Sequence, residues 1–268
     1  IDNLFFNISA PLFDEYDAIF KSLFYDKHTF HRQIVDVLCS KQSGFTITEL
    51  GVIIDKEQSD PTNKKLRNAI AELVDTGFIT PLNKLHNKTR ETKYIISDHF
   101  CLFHYKWVRE LSKNDIVSMK NHFTNILSSQ SYTIWCGFVF EIVMMINIDL
   151  YVQKRGLSAL YKNVTYWQYI ANPNIEDDKG AQIDMVIEYE NNIYDIVECK
   201  YYNDEFTITK EYADNLRHKV SKFKEYGIKQ KMRYDLKLVM LTTYGSKKNS
   251  HFNALNIASD ITLGDLID

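Results

Sequence analysis

The stretch Ala-Gln-Ile-Asp-Met-Val-Ile-Glu-Tyr-Glu-Asn-Asn-Ile-Tyr-Asp-Ile-Val-Glu-Cys-Lys, residues 181–200, decides the fold. A polar Glu-Asn-Asn segment separates its two apolar runs, which predicts two antiparallel strands joined by a turn. Because side chains alternate along a strand, Glu198 and Lys200 share one face of the second strand and Cys199 lies on the other. Asp184 on the first strand joins that face only if it lies opposite Glu198.

The length of the turn decides whether these side chains meet. A pairing that sets Asp184 opposite Glu198 leaves residues 190–192 as a three-residue loop, and asparagine tolerates the positive φ that such a loop needs. A two-residue Asn-Asn loop would move Glu198 to the opposite face of the sheet. Directly opposed β-carbons lie ~5 Å apart, so the three-residue loop would let both carboxylates share one metal ion.

Two carboxylates and an ammonium on one sheet face can hold a divalent metal and activate a water for phosphodiester cleavage. A Glu-x-Lys pair is also a common solvated ion pair worth roughly 0–1 kcal/mol, and this alternative stays open. The flanking residues are apolar enough to predict a largely buried sheet, in which charges are seldom kept without a use. Residues 176–198 also contain eight acids and one lysine, a local charge that attracts cations.

The composition is that of an ordinary globular chain, with 268 residues of which 45% are hydrophobic and 25% are charged, enough for about two domains. The net charge of −3 gives no whole-chain case for nucleic-acid binding, so any such surface has to be local. The four distant cysteines fit no zinc spacing, and neither a long apolar run nor a signal peptide is present. We expect a cytoplasmic protein with reduced thiols and no membrane segment. The chain lacks an initiator Met, which favours a fragment of a longer protein.

Residues 28–98 have the pattern of a helix-turn-helix with a wing. The pattern consists of an apolar first helix, a capping box before a short second helix, a third helix that a proline begins and a glycine ends, and two strands around a polar loop. The first helix covers residues 34–38, and the capping box is formed by Thr46 and Glu49. The third helix runs from Asp60-Pro61 to Gly77, and the two strands lie at residues 78–79 and 94–96.

The third helix and the loop of this segment are basic. Residues 61–93 contain seven Lys/Arg and three acids, a net charge of about +4. A basic helix with a basic wing suits DNA phosphates and the major groove, whereas a winged helix used only for protein packing is the alternative. The candidate DNA contacts are Lys64, Lys65, Arg67, Lys88 and Arg90.

Residues 99–150 predict helices, with a charged break at residues 113–115 and a last helix that starts near Gly137. This last helix is apolar apart from Glu141. Such an acid is either a surface residue near the helix start or an additional metal-site group. The acids of residues 181–200 favour the second interpretation.

The remaining residues, 151–268, have an α/β pattern. A strand near residues 164–169 precedes the strand pair, and a helix at 210–226 and a buried strand at 236–243 follow it. Between Lys200 and Lys248 there are twelve Lys/Arg and six acids, and Lys219 and Lys222 on the helix are candidate DNA contacts. A basic surface beside carboxylates that hold a metal is what a nuclease needs, and a solvated helix face is the alternative.

Several short stretches, taken in their order, resemble the C-terminal half of the archaeal-type AAA ATPases that also occur in bacteria. The resemblance covers essentially the whole chain. The matching stretches are Ala-Pro-Leu-Phe-Asp-Glu-Tyr (10–16) with Leu-Phe (23–24), Gly-Phe-Ile (77–79), Ile-Ser-Asp-His-Phe (96–100), Trp-Cys-Gly-Phe-Val-Phe-Glu (135–141), Gly-Ala-Gln-Ile-Asp (180–184) and Glu-Cys-Lys-Tyr (198–201).

The resemblance implies an α/β fold, α+β overall, in three parts. Residues 1–27 would be the remnant of the ATPase lid helix, and residues 28–98 a winged-helix domain. Residues 99–268 would be a restriction-endonuclease-like domain of the PD-(D/E)xK class, with a mixed sheet flanked by helices. An upstream AAA-type ATPase domain is the implied partner.

The same resemblance assigns Asp184, Glu198 and Lys200 to the nuclease motif and Glu141 to the helix acid that precedes it. It implies Mg²⁺ or Mn²⁺ held by Asp184, Glu198 and Glu141, with DNA as the substrate. Ile183 stands where the class has its signature proline. A catalytically inert DNA-binding or regulatory module of the ATPase is the alternative to a nuclease.

Overall fold

A computed structural model describes residues 1–7, 9–54, 64–86, 91–118 and 121–267, and these residues form a mixed α/β protein. The chain divides into two compact units, one made of residues 1–82 with 89–139 and the other of residues 83–88 with 140–268. The domain boundaries expected at 27/28 and 98/99 stay predictions, while this geometric division falls near residue 139.

The first unit is mainly helical and contains a small antiparallel sheet. Its strands are β1 (Phe45–Thr46), β2 (Ile79–Lys84), whose last two residues belong to the second unit, and β3 (Lys93–Ile96), which pairs with both. Its helices are α1 (Asp2–Phe5), α2 (Glu15–Phe24), α3 (His28–Cys39), α4 (Ile47–Ile54), α5 (Lys64–Asp75), α6 (His99–Phe103), α7 (Lys113–Ser118) and α8 (His122–Leu127). A π-helical turn, His104–Val108, follows α6, and α9 (Gln130–Ile146) begins in this unit.

The capping box expected before α4 is confirmed. The backbone N–H of Thr46 donates to Glu49 Oε2 over 2.7 Å, and the N–H of Glu49 donates to Thr46 Oγ1 over 3.2 Å. These two bonds satisfy N–H groups that have no partner within the helix. The structure describes α5 from Lys64 onward, so the start expected at Asp60-Pro61 lies outside the described residues. The stop expected at Gly77 is confirmed by its φ of 78° just after α5.

Two expectations about the middle of the chain are wrong. The charged residues 113–115 are not a break but the start of α7, because Ser112 and Asp115 form a second capping box there. Helix α9 begins at Gln130 and continues through Gly137, since one glycine lowers helix stability by only about 1 kcal/mol. Glu141 therefore lies deep in α9 rather than near its start.

The second unit is a mixed sheet with helices. Its strands are β4 (Tyr161–Tyr169), β5 (Ala181–Tyr189), β6 (Ile193–Lys200), β7 (Asp235–Thr242) and β8 (Ser259–Thr262), in this spatial order, with Asn83-Lys84 of β2 beside β4. The neighbours β4, β5 and β6 are antiparallel, and β7 and β8 continue parallel to β6. The helices are α10 (Ile148–Lys154), α11 (Lys210–Lys229), α12 (Ser250–Ala254) and α13 (Leu263–Ile267). Helix α11 is the crossover that the parallel pair β6–β7 requires.

The sheet of the second unit is buried on both faces, as its apolar sequence predicts. Ile183, Val186 and Ile196 pack on one side with residues of α11, whereas Met185 and Val197 pack on the other with residues of α9, α10 and α13. Successive positions along β6 alternate between the two layers. On β5 the alternation is interrupted next to Asp184, because Ile183 and Met185 pack on opposite faces where the register between β4 and β5 shifts. Charged side chains on these two strands therefore lie in an apolar surrounding.

The predicted register between β5 and β6 is confirmed. Met185 pairs with Val197 and Glu188 pairs with Tyr194, which leaves Glu190–Asn192 as a three-residue turn. Asn191 and Asn192 have φ values of 60° and 61°, in the left-handed region that asparagine tolerates. Among the described residues no single helix is both long and apolar enough to cross a bilayer, although the bent pair α9 and α10 meets that test when its two helices are taken together.

Candidate functional site

Asp184 and Glu198 come together where the ladder between β5 and β6 ends. The last recorded pair is Met185 with Val197, so Asp184 and Glu198 occupy the next position of the same register. The backbone N–H of Cys199 donates to Asp184 Oδ2 over 2.8 Å, so the side chain of Asp184 reaches across to β6. Within the described residues its other oxygen, Oδ1, accepts no hydrogen bond, and Asp184 keeps one oxygen for a further partner.

Glu198 is a fully buried carboxylate, with 0% of the residue exposed. The ammonium of Lys219 donates to both of its oxygens, over 2.6 Å to Oε1 and 2.8 Å to Oε2. The hydroxyl of Tyr212 donates to Oε2 over a longer distance of 3.3 Å. Both partners lie on α11, seven residues apart, which places them on one face of that helix.

The electrostatics of the site are those of two acids held close together. Burial, and then the negative charge of Asp184, raise the pKa of Glu198 to about 7, while Lys219 and Lys200 act in the opposite direction. Burial and the charge of Glu198 also raise the pKa of Tyr212, so its hydroxyl is a neutral donor. A buried carboxylate beside a second one is more stable as an anion when a cation lies close to it. The raised pKa of Glu198 shows that its charged form is disfavoured in these surroundings.

Lys200 lies at the end of β6 and is half-buried. Its Nζ is 5.2 Å from the centre of the Tyr212 ring, and its positive charge lowers the pKa of Glu198. Among the residues that the structure describes, it forms no ion pair with an acid. Within the described part of the chain, Lys200 is therefore a nearby ammonium that no carboxylate holds in place.

The site opens to solvent through one side of the sheet. A pocket of about 540 Å³ is lined by Asp184 and Lys219 together with the amide side chains of Gln182 and Asn215. Glu198 does not line it and lies behind Lys219. A ligand that enters this pocket would meet Asp184 and the ammonium of Lys219 before it reached Glu198.

The expected site with three carboxylates is not formed. Glu141 is half-buried on α9, and its negative charge contributes to the raised pKa of Cys199 on β6. Across the described ranges, however, no group of three His, Cys, Asp or Glu side chains is arranged to hold a metal ion. The geometry brings Asp184 and Glu198 together as a pair and does not add Glu141 as a third ligand.

Two of the candidate DNA contacts lie in ion pairs. Lys219, 16% exposed, is bound to Glu198 as described above. Lys222, 17% exposed, donates to Asp178 over 2.7 Å, and together with Tyr169 it holds that acid. Two lysines of α11 that look free in the sequence are thus paired with acids from elsewhere in the chain.

The basic residues of α5 are placed as the sequence predicts. Lys64, Lys65 and Arg67 are exposed, and the ammonium of Lys65 lies 4.1 Å from the centre of the Phe30 ring. Lys88 and Arg90 lie outside the described residues. The part of α5 that is described therefore presents cations on its surface.

Sequence reasoning missed the roles of Lys219 and Tyr212. The signal was present, because residues seven apart on an amphipathic helix share a face. The spacing shows which residues of α11 share a face, but it does not show what that face packs against. Glu198 could not be identified as the partner because it lies 21 residues before Lys219, across a loop.

The two carboxylates offer the hard oxygen ligands that Mg²⁺ and Mn²⁺ take, and Mg²⁺ commonly uses one or two carboxylates with waters and substrate phosphates. Asp184 Oδ1, which accepts no hydrogen bond from the residues that the structure describes, and the raised pKa of Glu198 fit such an ion. The fit requires the ammonium of Lys219 to leave Glu198. Comparison of the chain with protein-family models, curated proteins and solved structures found no match.

Proposed function

We propose that the second unit catalyses metal-dependent hydrolysis of DNA phosphodiesters as a PD-(D/E)xK-type nuclease. The observation that carries the proposal is the buried acid pair itself. Asp184 and Glu198 directly follow the last recorded pair of the β5–β6 register, and the charge of Asp184 makes the negative charge of Glu198 less favourable. Lys200 adds a nearby ammonium whose positive charge acts on Glu198. Two neighbouring carboxylates with a lysine close by match what this hydrolysis requires.

A Mg²⁺ or Mn²⁺ ion held by Asp184 and Glu198 would supply Lewis acidity and lower the pKa of a bound water. The residues of the chain would do the rest. Lys200 would orient the attacking water and stabilise negative charge as it develops on the phosphate. The amides of Gln182 and Asn215, at the wall of the pocket, would donate to phosphate oxygens and position the backbone.

The first unit would hold the duplex as a winged helix. The order α3, β1, α4, α5, β2 and β3 supports this assignment, and so do the exposed cations Lys64, Lys65 and Arg67 of α5. Such a basic helix binds DNA mainly through phosphates, so its affinity should fall steeply with salt. The restriction-endonuclease-like assignment of the second unit, an upstream AAA-type ATPase domain and a cytoplasmic location belong to the same proposal.

One observation favours a second candidate, a catalytically inert DNA-binding or regulatory module. Lys219 satisfies both oxygens of Glu198, which is how a structural ion pair would look. In this alternative the acid pair never binds a metal, and the fold only binds DNA or packs on a partner protein. A direct assay of cleavage separates the two candidates.

The assay follows cleavage of plasmid and of labelled oligonucleotides in Mg²⁺ and in Mn²⁺. Asp184→Ala and Lys200→Ala should each lower the rate by at least ~100-fold, because each removes a group that acts on the developing charge. The matched controls are Asp235→Ala and Lys237→Ala, which break an exposed ion pair on β7 of the same sheet and should keep full activity. Cleavage that persists unchanged in both site variants would overturn the proposal.

A further inference from the structure

Lys219 occupies the place beside Glu198 that a cation would need. Its ammonium contacts both carboxylate oxygens, and its side chain is almost covered, at 16% exposure. In contrast, Lys200 belongs to the strand motif but contacts no acid among the residues described. The acid pair is thus served by a lysine from α11 rather than by the lysine two residues along β6.

We propose that Lys219 is an internal counter-ion, which holds Glu198 while no metal is bound and exchanges with the divalent cation when one enters. The released ammonium then remains in the pocket and binds a phosphate oxygen of the substrate. This inference rests on the proposed metal site and describes how that site is regulated. It makes metal binding and DNA binding interdependent through one side chain.

The exchange follows from the position of the charges. An ion that binds both Asp184 and Glu198 would lie within a few ångströms of an ammonium that contacts both oxygens of Glu198, and two cations so close in an apolar surrounding repel each other. The carboxylates have less freedom to move, because Glu198 is fully buried and Asp184 accepts a hydrogen bond from the N–H of Cys199. Lys219 has a flexible four-carbon stem, so it is the group that gives way.

The pocket offers space for a released Lys219. Lys219 lines this 540 Å³ pocket beside Asp184 and Asn215, so an ammonium that leaves Glu198 has open space next to it. Before the exchange Lys219 is bound to Glu198 and Lys200 lies nearby, so two ammoniums balance the charge of two carboxylates. After the exchange the divalent cation and two lysines outweigh two carboxylates, which favours a phosphate.

Lysine acylation of the full chain, read by peptide mass spectrometry, tests the exchange without any substitution. Without divalent ions, Lys219 should react slowly because its ammonium is covered. With Mn²⁺ or Ca²⁺ at saturation, its labelling should rise severalfold. Lys222 is the matched control, because it lies on the same helix, is 17% exposed and is paired with a carboxylate over 2.7 Å. Its labelling should not respond to the ion.

Glu198→Gln provides a reference for the released state, because it removes the charge that holds Lys219. In that variant Lys219 should react quickly whether or not the ion is present. In the wild type with Ca²⁺, an added oligonucleotide should slow the labelling of Lys219 again. Labelling that the oligonucleotide does not change would overturn the phosphate contact.

Calorimetric titration of the same samples with Mn²⁺ distinguishes a failure of the Lys219 exchange from a failure of the proposed metal site. If Mn²⁺ binds and Lys219 stays as protected as before, the exchange is wrong and the proposed metal site stands. If Mn²⁺ does not bind at all, the metal site and the exchange are both wrong. Binding accompanied by faster labelling of Lys219, with Lys222 unchanged, is the result that supports both.

Discussion

Strand β6 carries two buried acids, Asp195 and Glu198, which differ in the hydrogen-bond donors around them. Both residues are 0% exposed. Asp195 receives four donors: Arg155 donates from Nε over 2.8 Å and from a terminal nitrogen over 3.0 Å, and the hydroxyls of Tyr151 and Tyr189 donate over 2.8 and 2.9 Å. Glu198 receives one ammonium and one tyrosine at 3.3 Å.

The difference separates a structural acid from a candidate functional one. Asp195 faces a guanidinium fork and two phenols from rigid elements, and all of its partners stabilise the charged form. Glu198 is buried beside a second acid, Asp184. Burial and the negative charge of Asp184 disfavour its charged form, and its pKa is raised to about 7. Burial alone does not indicate function, whereas burial with incomplete compensation does.

The largest expected effect is on stability, and it tests the structural side of this comparison. Arg155→Met leaves Asp195 buried with only two hydroxyl donors, and breaking such a pair should cost about 3–5 kcal/mol. The matched change Lys219→Met should cost less, because Glu198 takes up a proton near neutral pH and becomes neutral. Urea unfolding of both variants measures the difference. Equal losses in the two variants would remove the distinction between the acids.

The second prediction concerns pH and the raised pKa of Glu198. The folded protein holds the Glu198 proton more tightly than the unfolded chain, whose carboxyl has the ordinary pKa of 4.5. The resulting stability is fully present below pH 4.5 and is lost as the pH rises to about 7.

Glu198→Gln should therefore remove the loss of stability that the wild type shows as the pH rises. The stability difference between variant and wild type then widens up to about pH 7 and stays constant above it. The measurement is urea unfolding between about pH 5 and 8 with a chelator present, a range that covers most of the fall and the constant region above the folded-state pKa of about 7. Parallel curves for the two proteins would show that Glu198 titrates no differently in the folded and unfolded chains.

The smallest expected effect compares one tyrosine at each acid. Tyr189→Phe removes a hydrogen bond of 2.9 Å to a buried charge and should cost about 1.5–3 kcal/mol. Tyr212→Phe removes one of 3.3 Å and should cost about 0.5 kcal/mol. Thermal unfolding of the two variants side by side provides the test, and a greater loss at Tyr212 would reverse the assignment of the tighter network to Asp195.

The local parts of this fold could be predicted from the sequence. The sequence left two loop lengths open between β5 and β6, and the structure has the three-residue loop that sets Asp184 beside Glu198. The capping box of Thr46 and Glu49 followed from a spacing of three residues. Both predictions depend on groups that are close in the sequence, where alternation and helix period fix the geometry.

The partners of the buried acids could not be predicted in this way. Arg155 and Asp195 are 40 residues apart and come from different elements, and nothing in either neighbourhood identifies the other. The count of lysines on α11 indicated a free basic face, but Lys219 and Lys222 each found a distant carboxylate. Glu141 was predicted to be a third ligand because it is an acid in an otherwise apolar helix. Its distance from Asp184 and Glu198 depends on how α9 packs, which the sequence does not show.

The most direct test of the central claim, that Asp184 and Glu198 together hold a divalent cation, is calorimetric titration with Mn²⁺. We expect the wild type to bind an ion at this site, Asp184→Asn and Glu198→Gln each to lose that binding, and Tyr189→Phe to keep it. Binding that survives in both acid variants, or a wild type that binds no ion, would contradict the claim and leave the acid pair as a structural feature.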